Sequence, residues 1–327
     1  RFQRLVDWNV DQLVKLLKKI VAKRKIDREK GLPSTSSYPQ GEEEEAPQNG
    51  ADFDLRTKTS ILQEVSDVIT FPQPSLGEII VGDSVGESDE VELDSHVVVQ
   101  LHEFMTSIAT LYGNHPFHGF AHASHVAMAV ITWLSRVSSS AQEPVNEHPY
   151  EESFSGDWKK PLSSKDMFSL TSDPLTHFAL VLSALCHDVA HTGVCNAQLV
   201  KENDKTAMKY NEKSVHEQAS IELTFETLMN SKYSDLRNLL FATEKEFRHF
   251  RQIVINCIMA TDILDDHVMA KQAVRWGCLF RDHEEEEDGD DISISEFQPE
   301  NEGDQKLSIV VERLILISDI AHTMQVN

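Results

Sequence analysis

Histidine is concentrated in one short stretch of this sequence. Of its 15 histidines, four lie close together at His115, His118, His122 and His125. The apolar pattern that follows them predicts a helix beginning after Pro116, and residues four apart on a helix differ by only about 40° around its axis. His118 and His122 are therefore expected to face one cavity, where imidazoles bind metal ions or carry protons. His115 alone is more typical of a capping or surface residue.

A second cluster combines a histidine and an aspartate on an apolar segment. The segment from Phe178 to Ala190 is apolar on nearly every face, which predicts a buried helix carrying His187 and Asp188. Burying an aspartate without a partner costs several kcal/mol, and metal coordination is the usual way to satisfy a buried His-Asp pair. His191 lies one turn further on, and Gly193 permits a sharp exit of the chain.

A third apolar segment, from Ser308 to His322, carries a single aspartate, Asp319, which needs a buried partner for the same reason. Two imidazoles with two carboxylates suit a borderline ion such as zinc. A carboxylate shared with water oxygens suits a second, harder ion such as magnesium. Together they are typical of two-metal hydrolases. The candidate ligands are His122, His187, Asp188 and Asp319.

Helical periodicity dominates the segments that must position these residues. Helices are predicted at about 91–112, 118–137, 174–190, 213–230, 244–265, 267–281 and 306–323. No hairpin or βαβ alternation is evident, so we predict an all-α fold, a compact multi-helix bundle with the metal site between helices. Two stretches without a clear period, 138–172 and the acidic 282–305, are predicted loops.

The sequence predicts three parts along the chain. Residues 1–30 form a basic amphipathic helix, a pattern that favours packing on its own domain or on a partner helix over contact with a membrane or calmodulin. Residues 31–60, rich in Ser, Pro and acidic side chains, are a predicted linker. Residues 61–327 form the compact domain, which we expect to be incomplete at its C-terminus and part of a longer protein.

Composition restricts the classes of partner. The chain has 54 acidic and 30 basic side chains, a formal charge of −24, which would repel nucleic acid. Its four cysteines are scattered and form no C-x-x-C pair, so neither a disulfide framework nor a thiolate metal site is predicted. With no signal peptide and no apolar run long enough to span a membrane, a cytoplasmic location is expected, with a membrane tether only through parts of a longer protein.

The ordered motifs carry a resemblance to a known family. Signatures of the form H-N-x-x-H-x-x-D-V and H-D-x-x-H-x-G correspond to His118 through Val126 and His187 through Gly193. Asn196 through Leu199 and Tyr210 through Glu217 follow the same order. Over about 96–327 the chain resembles a C-terminally truncated catalytic domain of the class I 3′,5′-cyclic nucleotide phosphodiesterases, within the HD-domain metal phosphohydrolase superfamily.

The resemblance implies hydrolysis of cAMP, cGMP or both to 5′-nucleoside monophosphates by a water molecule that two divalent ions activate. It implies that His122, His187, Asp188 and Asp319 hold zinc and that Asp188 also reaches magnesium or manganese. His118 would be the general acid. By the same resemblance, residues around the metals would orient bound waters: His191, Asn196, Glu217, Thr261 and Asp262.

Several positions depart from the family pattern. Gly119 stands where the family has Asn, His125 and Ala190 where it has Asp, and Gln218-Ala219-Ser220 where it has a polar-His pair. The family places the Gln and Phe that clamp the base after its last metal-binding aspartate. Because this sequence stops soon after Asp319, the base-binding residues are expected beyond Asn327.

Two other functions remain open at this point. The departures and the missing base clamp are compatible with a catalytically weak or inactive regulatory module that binds a nucleotide. A different HD-type nucleotide phosphohydrolase is the other alternative, which the motifs at Asn196 and at Tyr210 through Glu217 disfavour. A fused or partner signalling domain such as a nucleotide cyclase and a homodimer are further expectations.

Overall fold

The computed structural model describes residues 2–29, 69–72, 91–115, 117–142, 169–280 and 302–323, which form helices joined by turns with no β-strand among them. The all-α prediction is confirmed. In chain order the helices are α1 (Phe2–Glu29), α2 (Ser95–Leu111), α3 (Phe120–Gln142), α4 (Pro174–Cys186), α5 (Asn196–Lys201), α6 (Lys205–Lys209), α7 (Val215–Leu228), α8 (Ser234–Leu240), α9 (Glu244–Met259), α10 (Asp266–Phe280) and α11 (Glu302–Thr323). The predicted linker 31–60, and residues 143–168 and 282–301 of the predicted loops, lie outside the described residues.

Helix α4 is the centre of the core. Its N-terminus is capped by Asp173, whose carboxylate accepts a hydrogen bond from the Thr176 backbone N at 3.1 Å, and Pro174 needs no partner in the first turn. Every residue from Leu175 to Cys186 is buried, and the helix packs against α1, α3 and α9. A helix that is apolar on all faces must be surrounded, so α4 carries the turn that follows it into the interior.

Helix α1 contributes one face to the same core. Asn9 donates a hydrogen bond to Ser124 Oγ on α3 at 2.8 Å. Near the other end of the helix, Arg24 binds the Leu240 carbonyl oxygen at 2.8 Å and Glu246 Oε2 at 2.9 Å. The amphipathic face therefore packs within this chain, as the sequence interpretation favoured. Its buried apolar residues recur every three or four positions: Val6, Val10, Leu13, Leu17 and Ile20.

Several helix boundaries differ from the prediction. Helix α4 ends at Cys186 rather than near 190, and α9 ends at Met259 rather than near 265. After α4 the backbone N of Val189 bonds the Cys186 carbonyl oxygen, and Ala190 adopts φ +58°, so the chain leaves the helix. Because these turn residues are also apolar, the hydrophobic pattern did not reveal where the helix stops.

The remaining helices show smaller shifts. Helix α3 runs from Phe120 to Gln142 rather than over 118–137, and α11 begins at Glu302 rather than near 306. The short helices α5, α6 and α8 were not predicted, since five to seven residues are too few to establish a period. None of the described helices is long and apolar enough to cross a membrane.

Candidate metal centre

Three helices bring the candidate ligands together. His122 lies in the first turn of α3, His187 and Asp188 occupy the turn that follows α4, and Asp319 lies near the end of α11. These three helices pack on one another. The convergence places residues that are up to 197 positions apart in the sequence in direct contact.

The first group of possible ligands consists of His122, His187 and Asp319, whose ligand atoms all lie within 4.8 Å of one another. Asp319 Oδ1 lies 2.8 Å from His122 Nε2 and 3.6 Å from His187 Nε2. His187 Nδ1 donates a hydrogen bond to the Ala184 carbonyl oxygen at 2.9 Å, which leaves Nε2 directed at the carboxylates. His187 Nε2 is buried and has no hydrogen-bond partner among the described residues.

Asp188 lies between this group and a second one that contains His118 and His191. Its Oδ2 is 3.3 Å from His187 Nε2, 3.7 Å from His122 Nε2 and 2.9 Å from His118 Nδ1. Burial alone would raise the pKa of Asp188, but His187 and His118 hold it well below its usual range. Asp188 is therefore an ionised carboxylate that can serve both groups.

The donor set fits a divalent metal ion. Burial lowers the pKa of His187, but Asp188 and Asp319 outweigh it and raise that pKa well above its ordinary value. The pKa of Asp319 is lowered by His122 and His187 in spite of its burial. In such a cluster the carboxylates favour protonated imidazoles, because the buried negative charge needs a positive partner. A metal ion can take the place of those protons, since it bonds to the same oxygen and nitrogen atoms.

His118 lies in the turn that precedes α3, with φ +31°, and not on the helix. The prediction that helical spacing aligns it with His122 was wrong in this detail, because α3 begins only at Phe120. The two rings nevertheless lie 6.4 Å apart between centroids. The hydrogen bond that His118 Nδ1 donates to Asp188 raises the pKa of His118, against the opposing effect of burial.

His118 also stacks on a column of imidazole rings. Its centroid is 3.8 Å from that of His191, with an angle of 16° between the ring planes. His191 in turn lies 3.9 Å from His216. Burial, and then the neighbouring His216, lower the pKa of His191 to about 3. Burial also lowers the pKa of His216.

A cluster of acidic side chains lies beyond this column. Asn196 Nδ2 donates to Glu217 Oε2 at 2.9 Å and to Asp262 Oδ2 at 3.3 Å. Burial and the charge of Asp262 raise the pKa of Glu217 to about 7. Thr261 lies beside this cluster, but its hydroxyl donates to the Ile258 carbonyl oxygen at the end of α9. Of the predicted outer residues, Asn196 thus contacts both Glu217 and Asp262 directly.

The turn after His187-Asp188 depends on unusual backbone conformations. Ala190 has φ +58° and Gly193 has φ +84°. A Cβ on Gly193 would lie 2.9 Å from His115 Nδ1, so His115 packs beneath this turn and glycine is required there. Gly119, which follows His118 in the sequence, also lies close to His115, since a Cβ on Gly119 would be 3.2 Å from the His115 carbonyl oxygen.

Sequence reasoning missed two residues that contact this site. His216 directly precedes Glu217 in one of the motifs that carry the resemblance, so its imidazole could have been noticed there. Tyr112 donates its hydroxyl to the Leu185 carbonyl oxygen at 2.9 Å and so holds the last turn of α4. Nothing in the local sequence marks Tyr112, because its partner lies 73 residues away.

Several known proteins are similar to this chain. A family model described as 3′5′-cyclic nucleotide phosphodiesterase matches residues 117–326. The 3′,5′-cyclic-nucleotide phosphodiesterase regA of Dictyostelium discoideum is 26% identical over 64% of this chain and 23% of its own length. A probable 3′,5′-cyclic-AMP phosphodiesterase, pde-4 of Caenorhabditis elegans, is 27% identical over 49% of this chain and 19% of its own length. The chain thus spans less than a quarter of these relatives.

Among solved structures, the phosphodiesterase domain of a RhoPDE fusion protein from the choanoflagellate Salpingoeca rosetta is similar, with a TM-score of 0.46 and 23% identity. The match covers 69% of this chain and 58% of that one.

Proposed function

Because the chain belongs to the 3′5′-cyclic nucleotide phosphodiesterase family, we propose that the protein containing it hydrolyses 3′,5′-cyclic nucleotides to 5′-nucleoside monophosphates. The observation that carries this proposal is the convergence of two histidines and two aspartates in one buried cluster, with a further histidine at its edge. The five residues come from three separate parts of the chain: His118 and His122, His187 and Asp188, and Asp319.

The family is metal-dependent, and the described residues include two candidate metal-binding groups. We assign zinc to His122, His187, Asp188 and Asp319, because two imidazoles with two carboxylates suit that ion. We assign magnesium or manganese to the side of Asp188 that faces His118, where the acidic Glu217 and Asp262 add negative charge. Bound there, two divalent ions would neutralise the phosphodiester and activate a water molecule for attack on phosphorus.

His118 is the proposed general acid. Its Nδ1 donates to Asp188, so in the protonated imidazole Nε2 carries the proton that can pass to the departing 3′ oxygen. The raised pKa of His118, which the hydrogen bond to Asp188 causes, favours this protonated form. A well-placed general acid contributes a factor of about 10² to 10⁴ to the rate.

The remaining predicted residues act on the acid and the metals from outside. His191 contacts the face of the His118 ring, and Asn196 joins Glu217 to Asp262. We propose that Glu217 and Asp262 orient water around the second ion, since buried carboxylates near a cation accept hydrogen bonds from its hydration shell. Thr261 has the weakest support, because its hydroxyl already donates to a backbone carbonyl.

The test is to express the full-length protein and measure its metal content together with hydrolysis of cAMP and cGMP. Asp188→Ala should lose metal and turnover, whereas His118→Ala should retain metal and lose turnover by about 10² or more. His96→Ala, which removes an exposed histidine of α2, is the matched control and should behave as the wild type. Normal turnover by either active-site variant would refute the proposal.

Product analysis separates the alternatives. Binding of cyclic nucleotide by metal-loaded protein without any turnover would support the regulatory module to which the departures at Gly119 and His125 point. Turnover of other nucleoside phosphates, with no 5′-monophosphate formed from cyclic substrates, would support a different HD-type phosphohydrolase. The fused signalling domain, such as a nucleotide cyclase, the homodimer and the cytoplasmic location stay predictions.

A further inference from the structure

Three stacked imidazoles run from the proposed general acid into the protein. The His118 and His191 rings are 3.8 Å apart and nearly parallel, and the His191 and His216 rings are 3.9 Å apart and inclined by 36°. His216 is the innermost ring, with only 4% of its surface exposed. It is no candidate metal ligand, since neither candidate ligand group among the described residues includes it.

His216 is held firmly at both its backbone and its ring. It lies in the first turn of α7, where its backbone N donates to Asn196 Oδ1 at 3.1 Å. Its ring Nε2 donates to the Val194 carbonyl oxygen at 2.8 Å and lies 3.4 Å from Thr192 Oγ1. Val194 and Thr192 belong to the turn that also carries His191, so His216 connects that turn to α7.

His191 is held more locally. Its Nδ1 accepts a hydrogen bond from the Gly193 backbone N at 3.0 Å, and that bond lies within its own turn. The bond fixes the ring relative to the turn, whereas contact with His216 fixes it relative to α7. Because Ala190 holds a left-handed conformation, which is unfavourable for a non-glycine residue, the position of this turn must be maintained by surrounding contacts.

The position of His118 depends on the same column. Its backbone has φ +31°, an unfavourable conformation for a non-glycine residue that the surroundings must maintain. Asp188 fixes one edge of its ring at Nδ1, and the face of His191 fixes the plane of the ring. A tilt of that plane would move Nε2, the atom proposed to protonate the leaving group.

We propose that His216 is a positioning residue for proton transfer by His118, and that it acts by holding His191 against the His118 ring. This inference rests on the proposed function. It predicts a defect confined to steps that need a proton on the leaving group. Because His216 is nearly fully buried and belongs to neither candidate ligand group among the described residues, binding of the metals and the substrate should be unaffected.

The test compares two substrates in the full-length, metal-loaded protein. In the first, an ordinary cyclic nucleotide, the 3′ oxygen must be protonated as it departs; in the second, sulfur replaces that oxygen and departs as a thiolate without a proton. His216→Leu should lower kcat for the oxygen substrate about tenfold, since a small misplacement of a reacting group costs about 10² or less. It should leave KM, metal content and kcat for the sulfur substrate unchanged.

Two further variants separate positioning from general stability. His216→Phe keeps an aromatic ring against His191 and should recover part of the lost rate on the oxygen substrate. His177→Leu removes another buried histidine, which hydrogen-bonds the Leu170 carbonyl oxygen at 3.0 Å near the opposite end of α4. It should affect stability only and leave the ratio of the two rates unchanged.

Each outcome decides the proposal. An equal loss on both substrates, or no loss on the oxygen substrate, would overturn it. If the wild type turns over no cyclic nucleotide, the proposed function fails instead, and a crystal structure of His216→Leu still decides the positioning role. There, displaced His191 and His118 rings would support it, and rings in their present places would refute it.

Discussion

Replacing Glu217 with glutamine should stabilise the metal-free protein at neutral pH. Glu217 is partly buried, accepts a hydrogen bond from Asn196 at 2.9 Å, and faces a second carboxylate, Asp262. Burial and that neighbouring charge raise its pKa from 4.5 to about 7. Ionisation of Glu217 is therefore harder in the folded protein than in the unfolded chain.

The sign and the size of the effect follow from this difference. A carboxyl group whose pKa is raised by folding contributes stability that is fully present below its unfolded pKa, near 4.5, and is lost as the pH rises through about 7. The difference between these two pKa values corresponds to about 3 kcal/mol of unfolding free energy. The amide of the Glu217→Gln variant does not titrate, so the variant would not suffer this loss.

The assay is urea denaturation of both proteins in the presence of a chelator, from about pH 4.5 to about pH 8, which spans the unfolded and folded pKa values. As the pH rises across this range, the unfolding free energy of the variant should gain up to about 3 kcal/mol relative to that of the wild type. A saturating divalent ion should reduce this gain, because a nearby cation lowers the pKa of a carboxylate. Glu226→Gln, at an exposed position of the same helix, is the control and should show no such trend. Parallel stability curves for wild type and Glu217→Gln would refute the reasoning.

Other predictions concern the scaffold, and each is measured as unfolding free energy by urea denaturation. Arg24→Met should cost about 3 kcal/mol, because it leaves backbone carbonyls of α8 and a buried carboxylate of α9 without their cation. Lys19→Met, on the exposed face of α1, is the control and should change the unfolding free energy little. Equal effects of the two substitutions would contradict the packing of α1. Ala190→Gly should stabilise by about 1 kcal/mol because φ is +58°, and a loss would show that the conformation is not strained. Gly193→Ala should cost about 2 kcal/mol or more, since its Cβ would meet His115, and an unchanged stability would contradict that contact.

The fold class and most long helices could be predicted because burial imposes a period on the sequence. Helix α4 is the clearest case, since all its faces are apolar and it lies at the centre. The ends of helices were harder, because the turn at Val189 and Ala190 is made of residues that also suit a buried helix. The short α5 and α6 gave no period, although α5 begins with Asn196 and α6 lies just before α7.

The candidate ligands could be predicted because their chemistry is rare in apolar surroundings. A histidine and an aspartate inside an apolar run, such as His187-Asp188, require a buried polar partner. Few other apolar segments of the sequence carry a side chain that could be that partner. The contacts around them follow from tertiary structure instead. Asn196 bridges Glu217 and Asp262, and Tyr112 binds the end of α4. Neither contact could be predicted from a local sequence pattern, because the partners are far apart in the sequence.

The departures from the family pattern that the sequence resemblance indicates lie around the candidate ligands and not at them. A metal ligand must present one atom at a fixed distance and direction, whereas the residues around the ligands act by orienting them and their bound waters. Ser220, in the segment where the family has a histidine, donates instead to the Val189 carbonyl oxygen at 2.9 Å. His216 lies one helical turn earlier on the same face of α7 and bonds the Val194 carbonyl oxygen. Between them the two side chains bind both ends of the turn that carries His191, so α7 fixes this turn at Val189 and at Val194.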